Sequence, residues 1–233
     1  MGFLFEKISA DYRYQEALKS CMNCGICTAI CPAAKYYKYE PRNICNIVQQ
    51  QNEEEIEKLL RSDTIWYCGQ CMSCKTRCPR NNIPGSLISV LRKVSQEMGF
   101  FVDSEKGRQQ YAIEQVVGNS ILERGYCVHP DILPAEMHPE QGPVWEWFKE
   151  NIDAICEKVG ANYKKEGAGA LRKIRPEVLE EIYKIFEITG GIQFREKIEC
   201  FSEKKAKEMN VPLNESNQYL TKLLTENNNQ HCK

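Results

Sequence analysis

Several common functional features are missing from this sequence, and each absence narrows the role. No apolar run approaches the 18 residues a membrane-crossing helix needs. The opening stretch, with Phe3, Leu4, Phe5 and Ile8, is too short for the apolar region of a secretory signal, and Glu6 stands where a myristoylation pattern needs Ser or Thr. Formal charge is 31 − 32 = −1, so there is no basic excess for a nucleic-acid footprint. No Gly-x-Gly-x-x-Gly unit exists for a dinucleotide: Gly167-Ala168-Gly169 lacks the third glycine and no clear strand leads into it. The expectation is a cytoplasmic chain without a transmembrane segment, peripheral contact with a membrane through the N-terminal helix being left open. At 233 residues it can bury about 70% of its unfolded surface.

Cysteine is abundant, at thirteen residues, and eight of these fall in two runs of identical spacing. They are Cys21-x2-Cys24-x2-Cys27-x3-Cys31-Pro32 and Cys68-x2-Cys71-x2-Cys74-x3-Cys78-Pro79. Each is the ferredoxin-type ligand run of a [4Fe–4S] cluster, and in two-cluster ferredoxins the fourth Cys serves the other cluster. The expected ligand sets are Cys21, Cys24, Cys27 and Cys78 for one cluster, and Cys68, Cys71, Cys74 and Cys31 for the other. Eight thiolates on two 2+ cubes would bring the net charge to about −5. The competing reading is a zinc-stabilised interaction module, but zinc takes four ligands about one ion, usually as two separated pairs. A disulfide framework fits an odd cysteine count poorly.

Helical periodicity dominates the rest, so the fold class expected is all-α. Residues 11–20 read as a short helix leading to Cys21. Arg42 to Gln51 carries Ile44, Ile47 and Val48 on one face; Asn52 then caps a helix opened by Glu53, Glu54 and Glu55 and continued by Ile56, Leu59 and Leu60. After the second run, Leu87, Ile88, Leu91, Val94 and Met98 form a stripe that Gly99 ends. Further helices are expected over Tyr111–Arg124, Val144–Val159 and Glu177–Glu187, the last broken by Gly190-Gly191, with a charged segment beyond it. The division expected is 1–100 for a cluster domain, 101–215 for a helical extension that docks partners, and 216–233 for a polar, disordered tail.

Taken together, Tyr39-Glu40-Pro41-Arg42, the amphipathic insert, Trp66-Tyr67-Cys68 through Cys78-Pro79-Arg80 and a helix holding Leu91-Arg92 resemble the α-helical ferredoxin domain. That domain occurs in succinate dehydrogenase iron–sulfur subunits and in the C subunits of heterodisulfide reductases. The resemblance covers residues 10–100 and is closer to the heterodisulfide reductase C subunits, since both runs have the full four-Cys form and the Cys-x4-Cys-x2-Cys run of a complete succinate dehydrogenase subunit is absent. It implies an electron-transfer subunit with two [4Fe–4S] clusters. Its partners would be the A and B subunits of a heterodisulfide-reductase-like complex, the first bearing flavin and clusters, the second handling a disulfide or thiol. The adjacent Cys-Cys pair that marks the catalytic one of these two partners is missing here. The length beyond residue 100 is similar to the extended C subunits of heterodisulfide-reductase-like complexes in sulfur oxidisers, where a lipoate-binding protein presents the substrate. An iron–sulfur subunit of a glycolate or glycerol-3-phosphate dehydrogenase is the alternative setting.

No residue of the chain reads as catalytic. Lys75, Arg77 and Arg80 could offset cluster charge, Gly25 and Gly69 could allow close backbone approach to a cube, and Trp66 could shield one. Cys45 reads as a small buried hydrophobe, as do the scattered Cys127, Cys156, Cys200 and Cys232. His129 and His138 sit in a Pro-rich link and read as surface-loop residues.

Overall fold

A computed structural model describes residues 2–134, 142–211 and 218–225. His138, Cys232 and residues 216–217 and 226–233 of the expected tail lie outside the described residues. The described chain is helical, without a strand: α1 Phe3–Ala10, α2 Tyr14–Ala17, α3 Ile26–Ala29, α4 Pro41–Gln50, α5 Glu53–Arg61, α6 Ser73–Arg77, α7 Pro84–Met98, α8 Glu105–Ile113, α9 Asn119–Arg124, α10 Pro143–Glu150, α11 Ile152–Lys158, α12 Pro176–Ile188, α13 Gly191–Glu208 and α14 Gln218–Thr225. It is an α-helical ferredoxin domain followed by a helical extension.

The core of the cysteine-bearing part is a bundle of α1, α4, α5 and α7. Ile44 and Val48 of α4, Ile56 and Leu60 of α5, and Leu87, Ile88 and Leu91 of α7 are almost wholly buried. Each such side chain contributes about 1.5–3 kcal/mol of burial. The helix ends follow the sequence closely: Asn52 Oδ1 accepts from Glu55 N–H at 3.2 Å, and Gly99 closes α7 at φ 75°.

The N-terminal helix packs into this core along one face. Leu4, Phe5 and Ile8 are buried in this core, and the Glu53 carboxylate accepts from Leu4 N–H at 2.8 Å and Phe5 N–H at 3.0 Å. One carboxylate thus caps α1 from the start of a different helix. The short helix expected over 11–20 is present but confined to α2, because at its start Asp11 draws the chain into a turn by accepting from Arg13 N–H, Nε and Nη2 and from Lys93 of α7.

Other differences have local causes. The helix expected over 111–124 begins earlier, at Ser104, whose hydroxyl accepts from Gly107 N–H at 3.1 Å, and it contains a π turn at Glu114–Gly118. There Glu114 is buried and paired with Arg195 of α13 at 2.6 Å. The 144–159 helix is broken at Asn151 into α10 and α11. The charged segment after Gly190 is an 18-residue helix that buries only Ile198, Ser202 and Ala206, too narrow a stripe to show as amphipathic periodicity. Part of the stretch expected to be disordered, 218–225, is helical as well, with Tyr219 and Leu223 buried against α8 and its neighbours.

Candidate metal centre

Both cysteine runs fold into the same local shape. Asn23 (φ 59°) and Gly25 (φ 81°) are left-handed in the first, Gln70 (φ 52°) and Met72 (φ 58°) in the second. These are the second and fourth residues after the leading cysteine in each case, so the backbone reversals repeat in register. Gly25 takes that conformation freely, whereas Met72 takes it with a side chain, at a cost of about 1–2 kcal/mol. The counterpart of Gly25 is therefore Met72, not Gly69, where an added Cβ would meet no protein atom within 4 Å. A short helix follows each reversal, α3 carrying Cys27 and α6 carrying Cys74, and the two helices pack against each other.

That packing crosses the runs over. One cavity, of about 250 Å³, is lined by Cys68, Cys71 and Cys74 of the second run together with Cys31 and Pro32 of the first. A narrower one, about 20 Å³, is lined by Cys21, Cys24 and Cys27 of the first run together with Cys78 and Pro79 of the second. All eight cysteines of the runs are accounted for, four to a cavity. Among the described residues no three Cys, His, Asp or Glu side chains converge to hold a single ion. The cavities are neighbours, since α3, which carries Cys27, packs against α6, which carries Cys74.

Side chains from outside the runs fix their backbone. Gln49 Oε1 accepts from Cys21 N–H at 2.6 Å while its Nε2 donates to Cys21 O at 3.2 Å. Asn82, 2% exposed, accepts from Lys19 N–H and donates to Ser20 O. Amides also aim at sulfur: Gln70 N–H donates to Cys68 Sγ at 3.4 Å and Asn82 N–H to Cys78 Sγ at 3.3 Å. Burial pushes the Cys27 thiol up to about 11 and raises Cys74, where the Gly85 N–H at the start of α7 opposes it. Cys71 is exposed and lowered by the Ser73 hydroxyl.

The donor set fits iron–sulfur clusters: four thiols per cavity, amides directed at sulfur, and largely apolar walls. A further sign lies in the wider cavity, where the Tyr39 hydroxyl is buried and makes no hydrogen bond. Burial first, and then the neighbouring Cys68, push its pKa upward, so the hydroxyl keeps its proton. Tyr39 and Tyr67 both line this cavity, Tyr39 edge-on to Tyr67 at 6.2 Å, and Tyr37, which does not line it, stacks on Tyr67 at 4.3 Å.

Of the cations expected beside the clusters, Arg80 lines the narrower cavity, while Lys75 and Arg77 are exposed and line neither. Trp66 lines neither cavity and packs against two cores behind Cys68. The cation that sequence reading missed is Arg92 of α7, which donates from Nε to Ile65 O at 2.8 Å and from Nη2 to Trp66 O at 3.0 Å and Cys68 O at 2.7 Å. Cys45 is buried and adds a fifth thiol, from outside the runs, to the lining of the narrower cavity; Cys156 is buried too, whereas Cys127 and Cys200 are exposed. His129 is not a surface residue: it is buried, stacked on Tyr163 at 5.8 Å, with its Nδ1 accepting from Asp131 N–H.

Comparison with known proteins agrees with this geometry. The 4Fe-4S dicluster domain family matches residues 17–82. The C subunit of a ferredoxin:CoB-CoM heterodisulfide reductase of Methanosarcina acetivorans is 34% identical over 61% of this chain, and the chain spans only 54% of that relative. The C subunit of the H(2):CoB-CoM heterodisulfide,ferredoxin reductase of Methanothermobacter marburgensis is 25% identical over 75% of this chain and 76% of its own. An iron-sulfur C subunit of a CoB–CoM heterodisulfide reductase of Methanocaldococcus jannaschii is 30% identical over 60% of this chain and 71% of its own. The likeness thus extends well beyond a shared cysteine spacing, and the chain belongs to the family of heterodisulfide reductase C subunits.

Proposed function

We propose that the chain is an electron-transfer subunit holding two [4Fe–4S] clusters, one on Cys21, Cys24, Cys27 and Cys78 and the other on Cys68, Cys71, Cys74 and Cys31. When bound, each cluster supplies a one-electron relay site. The observation that carries the reading is the crossed lining of the two cavities, three thiols from one run and the fourth from the other in both. The protein's own part is to fix the thiols, through Gln49, Asn82 and the paired left-handed turns, and to keep the relay sites close together. Cys24 and Cys71 are exposed, so both sites can be approached from outside by a partner's cofactor.

Family membership supports a position for this relay within a heterodisulfide-reductase-type complex, between a partner that bears flavin and clusters and a partner that handles a disulfide or thiol. The helical extension supports the longer form of C subunit, with a role in sulfur metabolism and a lipoate-binding protein reached through the complex. Purification without air, followed by iron analysis and EPR of the reduced protein, tests the cluster content. About eight irons and two interacting S = 1/2 signals are expected; four irons or fewer would overturn the two-cluster reading.

A further inference from the structure

Arg92 is unusual among the cations of this chain. It is half-buried on α7, its guanidinium satisfied by three backbone carbonyls and lying over the Trp66 ring at 5.4 Å, and no carboxylate is paired with it among the described residues. A cation removed from water without an opposing charge is costly. Its Nη2 grips the carbonyl of Cys68, one of the four thiol-bearing residues of the wider site, at 2.7 Å. Tyr39 is 2% exposed, lines the wider cavity, and has a hydroxyl with no acceptor. The unpartnered Tyr39 hydroxyl thus lines the cavity ringed by Cys31, Cys68, Cys71 and Cys74, while the Arg92 charge does not line it and reaches that site through the Cys68 carbonyl.

The narrower cavity has no such arrangement. Its arginines are Arg42, which is paired with Glu40 at 2.7 Å, and Arg80, which is exposed and screened by water. The two sites thus differ in electrostatics even though their cysteine runs match.

We propose that Tyr39 and Arg92 are positioning residues that set the relay's polarity, making the site of Cys31, Cys68, Cys71 and Cys74 the higher-potential of the two, so that a single electron rests there. The inference rests on the cluster assignment above. An arriving electron, from an outside one-electron donor, adds one negative charge and transfers no bond or proton. A half-buried guanidinium held on the Cys68 carbonyl and an unpartnered hydroxyl in the cavity wall stabilise that added charge, which raises the potential.

The test is a dithionite titration followed by EPR on anaerobically purified protein, with the signals assigned by Cys71→Ser, which perturbs only the wider site. Tyr39→Phe should shift the one-electron equilibrium of that site about tenfold toward the oxidised form, or ~59 mV downward, and leave the other site unmoved. Arg92→Gln should act in the same direction, and Arg92→Lys should recover part of the shift by keeping the charge. In iron-free protein, Tyr39→Phe should melt no lower than the parent, since the hydroxyl it removes has no partner there. An unchanged potential in Tyr39→Phe with about eight irons bound would overturn this inference alone, as would equal shifts at both sites. Loss of iron from the parent protein would instead overturn the cluster assignment.

Discussion

Replacing Cys31 by Ser removes a sulfur from the first run, yet the cavity it disturbs belongs to the second. Cys31→Ser should alter the EPR signal of the cluster on Cys68, Cys71 and Cys74, and Cys78→Ser that of the cluster on Cys21, Cys24 and Cys27. If each change affected only its own run, the crossed assignment would fail. At this scale the thiols are legible in the sequence because spacing alone brackets them. Gln49, Asn82, Tyr39 and Arg92 are not, since each reaches the site from a remote turn of chain or from a helix with an ordinary hydrophobic face. Lys75 and Arg77 stand beside the second run in the sequence, yet both face solvent. The relevant charge arrives from the middle of α7.

Among the elements, helix identity follows from local pattern and helix docking does not. The stripes of α4, α5 and α7 predict their ends to within a residue or so, whereas α13 buries too little to be seen and α8–α9 conceals a π turn. The docking of α1 depends on Glu53, which the sequence offers merely as one of three acids in the first turn of α5. Glu53→Ala removes two charge-assisted hydrogen bonds to the start of α1. It should cost about 1–2 kcal/mol, read as a lower melting temperature and faster hydrogen exchange at the Leu4 and Phe5 amides. Unchanged exchange at those amides would show that apolar packing alone holds the helix.

For the molecule as a whole, clusters held on the proposed ligands would join segments far apart in the chain and so couple metal binding to folding. Iron removal by a chelator under nitrogen should lower the melting temperature by on the order of 10 °C, with protection lost first at α3 and α6. An equal melting temperature with and without iron would separate metal from fold. We propose that residues 1–100 form the cluster domain and 101–215 an extension resting on it. They meet where Arg61 pairs with Asp103, where Asp63 accepts from Lys106 N–H at 2.9 Å, and where Phe201 packs against Gly99. A side chain at Gly99 would run into the Phe201 ring, so this seam requires glycine both for its left-handed turn and for contact.

The sequence by itself determined the cofactor class, the all-helical architecture and the places where most helices begin and end, because ligand spacing, hydrophobic period and capping are properties of neighbours along the chain. The tertiary structure alone decided which side chains surround each set of thiols. A guanidinium without a carboxylate and an unpartnered hydroxyl acquire meaning only through what stands beside them, and those neighbours are brought together by the packing of α7 against the rest of the core.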